Sequence, residues 1–149
     1  MKNKGFSMVE LIIVIAIMAI LAGVLTPALI KYIHKSRLST DVNMGREIAM
    51  AIMSCVVNDN VRDNAVEHAT PQPVSDMDGS DFKKEVYDTL GVTDIKGKSK
   101  KDADGNEFDV DKRCFYYTLD SNKNKVEVYY GGITEDYQVY PKAGSKLVK

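Results

Sequence analysis

Histidine is nearly missing from this 149-residue chain, which carries only His34 and His68. Cysteine is as scarce, with Cys55 and Cys114 alone. There is no CxxC pair, no HxxxH pair and no glycine-rich phosphate loop. With so few nucleophiles, bases and soft ligands, no catalytic constellation forms, so an enzyme is not expected and no cofactor is implied. A strong net charge is missing too: 20 Lys and Arg stand against 21 Asp and Glu, for a formal charge of −1. Global charge therefore implies no specific nucleic-acid partner. Internal repeats and low-complexity tracts are also absent, which sets aside solenoids and linker-like segments.

The most informative absence is local. After Lys4 the next basic residue is Lys31, and between them Glu10 is the single charge. The stretch Phe6 to Ile30 reads FSMVELIIVIAIMAILAGVLTPALI. It exceeds the roughly 20 apolar residues that span a bilayer as a helix. A cleaved secretory signal fits poorly, because its apolar region is about 7–15 residues ending in a small-x-small site. The nearest such site ends at Ala22, and Ile20 stands where a small residue is wanted. Lys2 and Lys4 place the N-terminus in the cytoplasm and everything after about Lys31 outside. Lys31, His34, Lys35 and Arg37 are a mild conflict with that orientation. A mid-helix acid costs roughly 2.5–3.5 kcal/mol on insertion scales. Glu10 is therefore a functional-site candidate that needs a partner.

Residues Gly5-Phe6-Ser7-Met8-Val9-Glu10-Leu11-Ile12 resemble the class III signal of type IV pilins and related pseudopilins. The resemblance covers about the first 35 residues. It implies cleavage between Gly5 and Phe6 by a prepilin peptidase, N-methylation of Phe6, and an assembly role for Glu10. The leader would be Met1 to Gly5, of the short type IVa kind. In a filament of stacked helices Glu10 needs a cation, and the freed Phe6 amine of a neighbouring subunit can supply it. Leaving one partner of a buried pair alone costs about 3–5 kcal/mol, so the pair can enforce axial register. Phe6 and Glu10 are also four apart on one helical face, which allows pairing within a chain before assembly. Pro27 removes a backbone donor and crowds the Gly23 carbonyl, and Gly23 is itself a poor helix residue. Gly23 and Pro27 thus mark a weak point of the helix.

Helical character continues past the apolar run. Leu38, Val42, Gly45, Ala49, Ile52 and Val56 recur at spacings of four and three, an amphipathic stripe. One helix is expected from about 6 to 57, roughly 75 Å long at 1.5 Å per residue. Residues 58–79 read as a turn-rich loop, followed by a short helix capped by Ser80 and ended at Gly91. A second loop spans about 92–111. Strands are expected at Cys114 to Leu119, at Val126 to Tyr130, and around Tyr137 to Tyr140, with a hairpin loop at Asp120 to Asn124. The last residues read as a loose tail. The fold class is α+β: a long N-terminal helix packed on a C-terminal antiparallel meander, as in the pilin fold. The expected division is a leader at 1–5, a transmembrane and filament-core half-helix at 6–30, and an extracellular domain at 31–149.

Three weaker features remain. Asp102, Asp104, Asn106 and Asp109 concentrate oxygen ligands, but glycine is fourth and Arg113 twelfth, so this is no EF-hand. An Asp-Gly turn is the preferred reading, with a looser metal site as the other. Lys96, Lys98, Lys100 and Lys101 read as a solvated loop. A Cys55–Cys114 bridge would contribute roughly 4 kcal/mol if unstrained; two separately buried thiols are the other reading. Many Gram-negative pilins bridge two cysteines within the C-terminal half, and this chain departs from that pattern.

The resemblance implies a structural subunit of a type IV pilus, and it leaves adhesion, twitching motility, biofilm formation and DNA uptake all open as the use of the fibre. The precursor would be a single-pass protein of the cytoplasmic membrane, N-terminus in, and the assembled subunit part of a surface fibre. Its implied partners are the prepilin peptidase and N-methyltransferase, an assembly ATPase with its membrane platform, and other pilin subunits. The alternatives are a pseudopilin of a type II secretion or competence system, and a single-pass anchored domain.

Overall fold

The computed structural model describes residues 5–63, 65–108, 113–120, 122 and 124–148. By spatial clustering the chain falls into two units, Met1–His34 and Lys35–Lys149. Helix α1, Met8–Val57, is continuous through 50 residues. In the first unit it carries the apolar run from Met8 to Ile30, with its apolar side chains exposed. The helix persists through Gly23 and Pro27. Thr26 Oγ1 donates to the Ala22 carbonyl at 2.7 Å, in the turn just before the proline.

In the second unit the expected stripe is the buried face of α1. Leu38, Val42, Gly45, Ala49, Ile52 and Val56 are all buried, together with Asp41, Ile48, Ala51 and Cys55. Gly45 marks a close approach of helix to sheet. A Cβ built there would stand 2.6 Å from Val139 Cγ1 and 3.3 Å from Phe115 Cε1.

After a short α2, Asp59–Arg62, the chain enters strand β1, His68–Pro73. A 3₁₀ turn at Val74–Asp76 leads to helix α3, Ser80–Leu90. Strands β2 (Phe115–Leu119), β3 (Val126–Tyr130) and β4 (Gln138–Tyr140) follow. The sheet is antiparallel in the order β1-β2-β3-β4. Phe115, Tyr117 and Leu119 alternate inward on β2, opposite Tyr130, Val128 and Val126 on β3. The core is this face, the α1 stripe, and Phe82 and Val86 of α3.

Four expectations need correction. Residues 58–79 are not all loop, since β1 lies within them and adds a fourth strand. Pro71 and Pro73 obscured it in the sequence, yet an edge strand tolerates proline because one row of its N–H groups faces no partner. The first strand of the expected meander begins at Phe115 rather than Cys114. The cap of α3 is Gly79 at φ 84°, with no side-chain cap hydrogen bond, so Ser80 is the first helical residue. Its other end follows expectation: Gly91 is left-handed, and the Val92 amide donates to the Tyr87 carbonyl. Last, the C-terminal segment is not loose. Leu147 is buried, the Ala103 amide donates to the Lys146 carbonyl at 2.7 Å, and the Lys146 amide donates to the Asp136 carbonyl at 3.0 Å.

Candidate functional site

Gly5, Phe6 and Ser7 lie outside the helix, and the Phe6 side chain is 87% exposed. Helix α1 opens on a Ser-x-x-Glu sequence, the signature of a capping box. Its geometry is present. Val9 N–H donates to Ser7 Oγ at 3.3 Å, and Ser7 N–H donates to Glu10 Oε2 at 2.9 Å. The first helical turn closes with Leu11 N–H on the Ser7 carbonyl. Glu10 therefore folds back toward the end of the helix that holds Phe6. Its negative charge also sits in the first turn, at the positive end of the helix dipole. The helix was expected to begin at about residue 6 with Phe6 and Glu10 on one face; it begins at Met8, so Phe6 precedes it, and the sequence reading passed over Ser7.

The helix that follows is long and apolar enough to cross a membrane, and none of its apolar window is buried. Among the described residues the large apolar side chains of that window are exposed. Such a segment needs lipid or other protein to cover it.

Farther along α1, Asp41 is buried at 2% exposure, a residue the sequence reading missed. Its two carboxylate oxygens accept the backbone N–H groups of Lys98 at 2.7 Å and Ser99 at 2.6 Å. Tyr130 OH donates to the Ser99 carbonyl at 3.0 Å. The Tyr130 ring lies directly against Gly97, where no Cβ would fit. One carboxylate thus fastens the loop after α3 to the helix. Burial pushes the Asp41 carboxyl up from its ordinary range, and the two backbone donors pull it back only in part. Burial and then the Asp41 charge push the Tyr130 hydroxyl up. The missed signal was an acid between Leu38 and Val42, inside the apolar stripe.

The acidic loop is a turn. Asp102, fully buried, accepts Asp104 N–H and Asn106 N–H on Oδ1, both at 2.9 Å, and Asn106 Nδ2 on Oδ2 at 3.0 Å. Asp104 Oδ2 pairs with Lys146 Nζ at 2.7 Å. These groups serve the turn and the C-terminal segment rather than converging on one point. Asp109 lies outside the described residues. Among the described residues no cluster of His, Cys, Asp or Glu is arranged to hold a metal.

The bridge between Cys55 and Cys114 is not formed, and both are free thiols. Cys55 Sγ instead lies 4.0 Å from Thr89 Oγ1 of α3, and burial pushes its thiol up. Cys114 is half-buried just ahead of β2. In the basic loop, Lys96 pairs with Asp94 at 3.3 Å and Lys101 with Glu107 at 3.7 Å, both on the surface. His68 sits on β1, edge-on to the Tyr117 ring, not in a loop.

The described residues define an α+β class of protein: a long N-terminal helix, apolar and exposed over its first half, whose second half packs on a four-stranded antiparallel sheet. Comparison with known proteins narrows this. Residues 1–26 match the family model described as the prokaryotic N-terminal methylation motif. The chain is similar to a fimbrial protein of Dichelobacter nodosus, at 29% identity over 147 residues, covering 98% of this chain and 79% of that one. It is also similar to a type IV major fimbrial protein, FimA, of Dichelobacter nodosus, at 30% identity over 147 residues, covering 99% and 73%. No solved structure matches. The chain belongs to the type IV pilin family, and it is structural rather than enzymatic.

Proposed function

We propose that this chain is the precursor of a filament subunit, cut between Gly5 and Phe6, methylated at Phe6, and polymerised through α1 into a surface pilus. The observation that carries the reading is the pairing of a non-helical Gly5–Phe6 junction with a bare apolar helix whose one charge is Glu10. Before assembly the membrane covers the apolar side chains, with the N-terminus in the cytoplasm and residues 31–149 outside. In the fibre, the same side chains on other copies cover them. Glu10 then pairs with the Phe6 amine of a neighbour and fixes axial register, since an unpaired buried charge costs about 3–5 kcal/mol.

Gly23 and Pro27 remain helical in the free subunit and yield when helices pack. The partners this requires are a peptidase that also methylates, an assembly ATPase with its membrane platform, and other copies. Similarity to a major fimbrial protein over nearly the whole chain supports a fibre-forming subunit over a pseudopilin. Electron microscopy of material sheared from cells tests the reading. Fibres containing this chain, lost on Glu10→Ala with the precursor still in the membrane, support it. Fibres of unchanged number and length in Glu10→Ala would oppose it.

A further inference from the structure

We propose that Lys35 and Arg37 of α1, with Lys98 and Lys100 of the loop after α3, form a surface that rests on anionic lipid headgroups while the subunit waits in the membrane. The inference rests on the membrane stage of the function proposed above.

The loop is fastened by its main chain, and its lysine side chains are left over. Asp41 accepts the backbone N–H groups of Lys98 and Ser99 at 2.7 and 2.6 Å. Gly97 N–H donates to the Arg113 carbonyl at 3.1 Å, and Tyr130 OH donates to the Ser99 carbonyl. Ser99 is buried, while Lys98 and Lys100 on either side of it are exposed. The fastening does not call for lysine, because any residue at 98 would supply the same amide. Arg37 stands one turn before Asp41 on the same helical face, about 6 Å along the axis, and Lys35 about 3 Å before that. Both are exposed.

The acids nearby leave these four cations uncompensated. Asp94 is taken by Lys96 and Glu107 by Lys101, at the flanks of the loop. The Asp41 carboxylate lies beneath Lys98 with both oxygens accepting main-chain donors. Among the described residues Lys35, Arg37, Lys98 and Lys100 make no ion pair.

Position in the chain selects the partner. Lys35 is the fifth residue after Ile30, the end of the apolar run. It cannot stand more than about 18 Å from that run by any path of the chain. Clusters of four or more Lys and Arg beside a membrane helix are attracted to anionic headgroups, and the attraction fades within about 8–10 Å at physiological salt. The long side chains carry the charge toward the headgroups while their stems lie on the protein. The chain as a whole is formally −1, so a long polyanion would meet acids beyond the patch. A flat anionic surface meets only the end of the domain at which the chain arrives from the membrane. The contact also gives a use to Lys35 and Arg37, which oppose the expected orientation by charge. It steadies the domain before assembly and is given up when the subunit leaves the lipid.

Site-resolved lysine acetylation of the full-length precursor, with one chain per lipid nanodisc and a neutral reagent, tests this by mass spectrometry. Discs of phosphatidylcholine are compared with discs of an equimolar phosphatidylcholine–phosphatidylglycerol mixture. Lys98 and Lys100 are expected to react roughly fivefold more slowly in the anionic discs and to recover in high salt. Lys84 of α3 is the control and should react alike in both, since α3 packs beside Cys55, about 21 Å beyond Asp41 along α1. Lys35→Gln combined with Arg37→Gln should shrink the Lys98 difference to about twofold. Slow hydrogen exchange of the Ser99 amide in both chains verifies that the loop is still fastened. Equal reactivity of Lys98 and Lys100 in the two kinds of disc would overturn this inference alone. Protection that appears only when two chains share a disc, or only on adding duplex DNA, would overturn it in favour of a second copy or of nucleic acid. A chain that inserts in neither disc would overturn the membrane stage and this inference with it.

Discussion

Asp41 and Ser99 stand 58 positions apart, and the Asp41 carboxylate accepts the Ser99 backbone N–H at 2.6 Å. With the Lys98 amide on its other oxygen, one side chain ties the loop beyond α3 to the face of α1. Asp41→Ala leaves the buried Ser99 N–H without its partner, at about 1–3 kcal/mol, and removes the part-buried bond from Lys98 N–H as well. The expected result is a clear fall in thermal midpoint. Asp41→Asn keeps one acceptor and should fall about half as far. Circular dichroism of the detergent-solubilised chain measures both.

The same residue sets a pH dependence. Its folded pKa is raised above the ordinary carboxylate value by burial. The folded state therefore holds a proton that the unfolded chain releases. By linkage, this contribution is present below the unfolded pKa and is lost as pH rises through the folded one. The stability of wild type relative to Asp41→Asn should fall as pH rises from about the ordinary carboxylate range of 4 upward. A difference that stays flat, or grows with pH, would contradict the assignment.

At the alkaline end the tyrosines decide. Burial pushes Tyr117 up to about 12, and burial with the neighbouring Glu127 does the same for Tyr129. Tyr130 is pushed up as well. The unfolded chain ionises its tyrosines near 10, so stability drops as pH climbs from about 10 toward 12. Tyrosinate absorbance should rise in two stages. Tyr117, Tyr129 and Tyr130 ionise in the later stage, only as the domain opens. A single smooth titration of all eight tyrosines would contradict the packing.

Gly45 and Gly23 make opposite predictions for the same substitution. In an open helix position Ala is favoured over Gly by about 1 kcal/mol. Around Gly23 nothing lies within 4 Å of a built Cβ, so Gly23→Ala should raise helix stability. At Gly45 the Cβ meets Val139 at 2.6 Å, and Gly45→Ala should instead lower the domain's stability by about 1–3 kcal/mol. Thermal unfolding of the two variants side by side gives the signs.

The C-terminal strap has a polar and an apolar part. Lys146 and Asp104 are each about a third exposed, so solvent screening leaves their pair a minor contribution. Leu147 is buried, and Leu147→Ala should cost roughly 2–5 kcal/mol. Carboxypeptidase digestion should accelerate strongly in Leu147→Ala and slightly in Lys146→Met. The reverse order would place the weight on the ion pair.

Periodicity made most of this fold legible. Leu38 to Val56 announced the buried stripe of α1, and the alternation about Tyr116 and Tyr117 announced β2. Single residues whose roles depend on distant chain were not legible. Asp41 looks like any helical acid until Lys98 and Ser99 are seen above it. Leu147 is too short a pattern to read, and only Ala103 and Asp136 reveal that its segment is anchored. Strand β1 was hidden because proline weighs against a strand unless the strand is known to lie at an edge. At the candidate site, Glu10 stood out by chemistry, as the one charge in an apolar run, and Phe6 through the family resemblance. Ser7 did not, because a capping serine is ordinary until the acid it serves has another task.

The central claim is that this chain is processed at Gly5–Phe6 and assembled through the freed terminus. N-terminal peptide mass spectrometry on protein sheared from the cell surface tests it most directly. The account predicts a chain beginning at N-methylated Phe6. A surface chain that retains Met1–Gly5, or one that begins after Ala22 or Ala28, would contradict it.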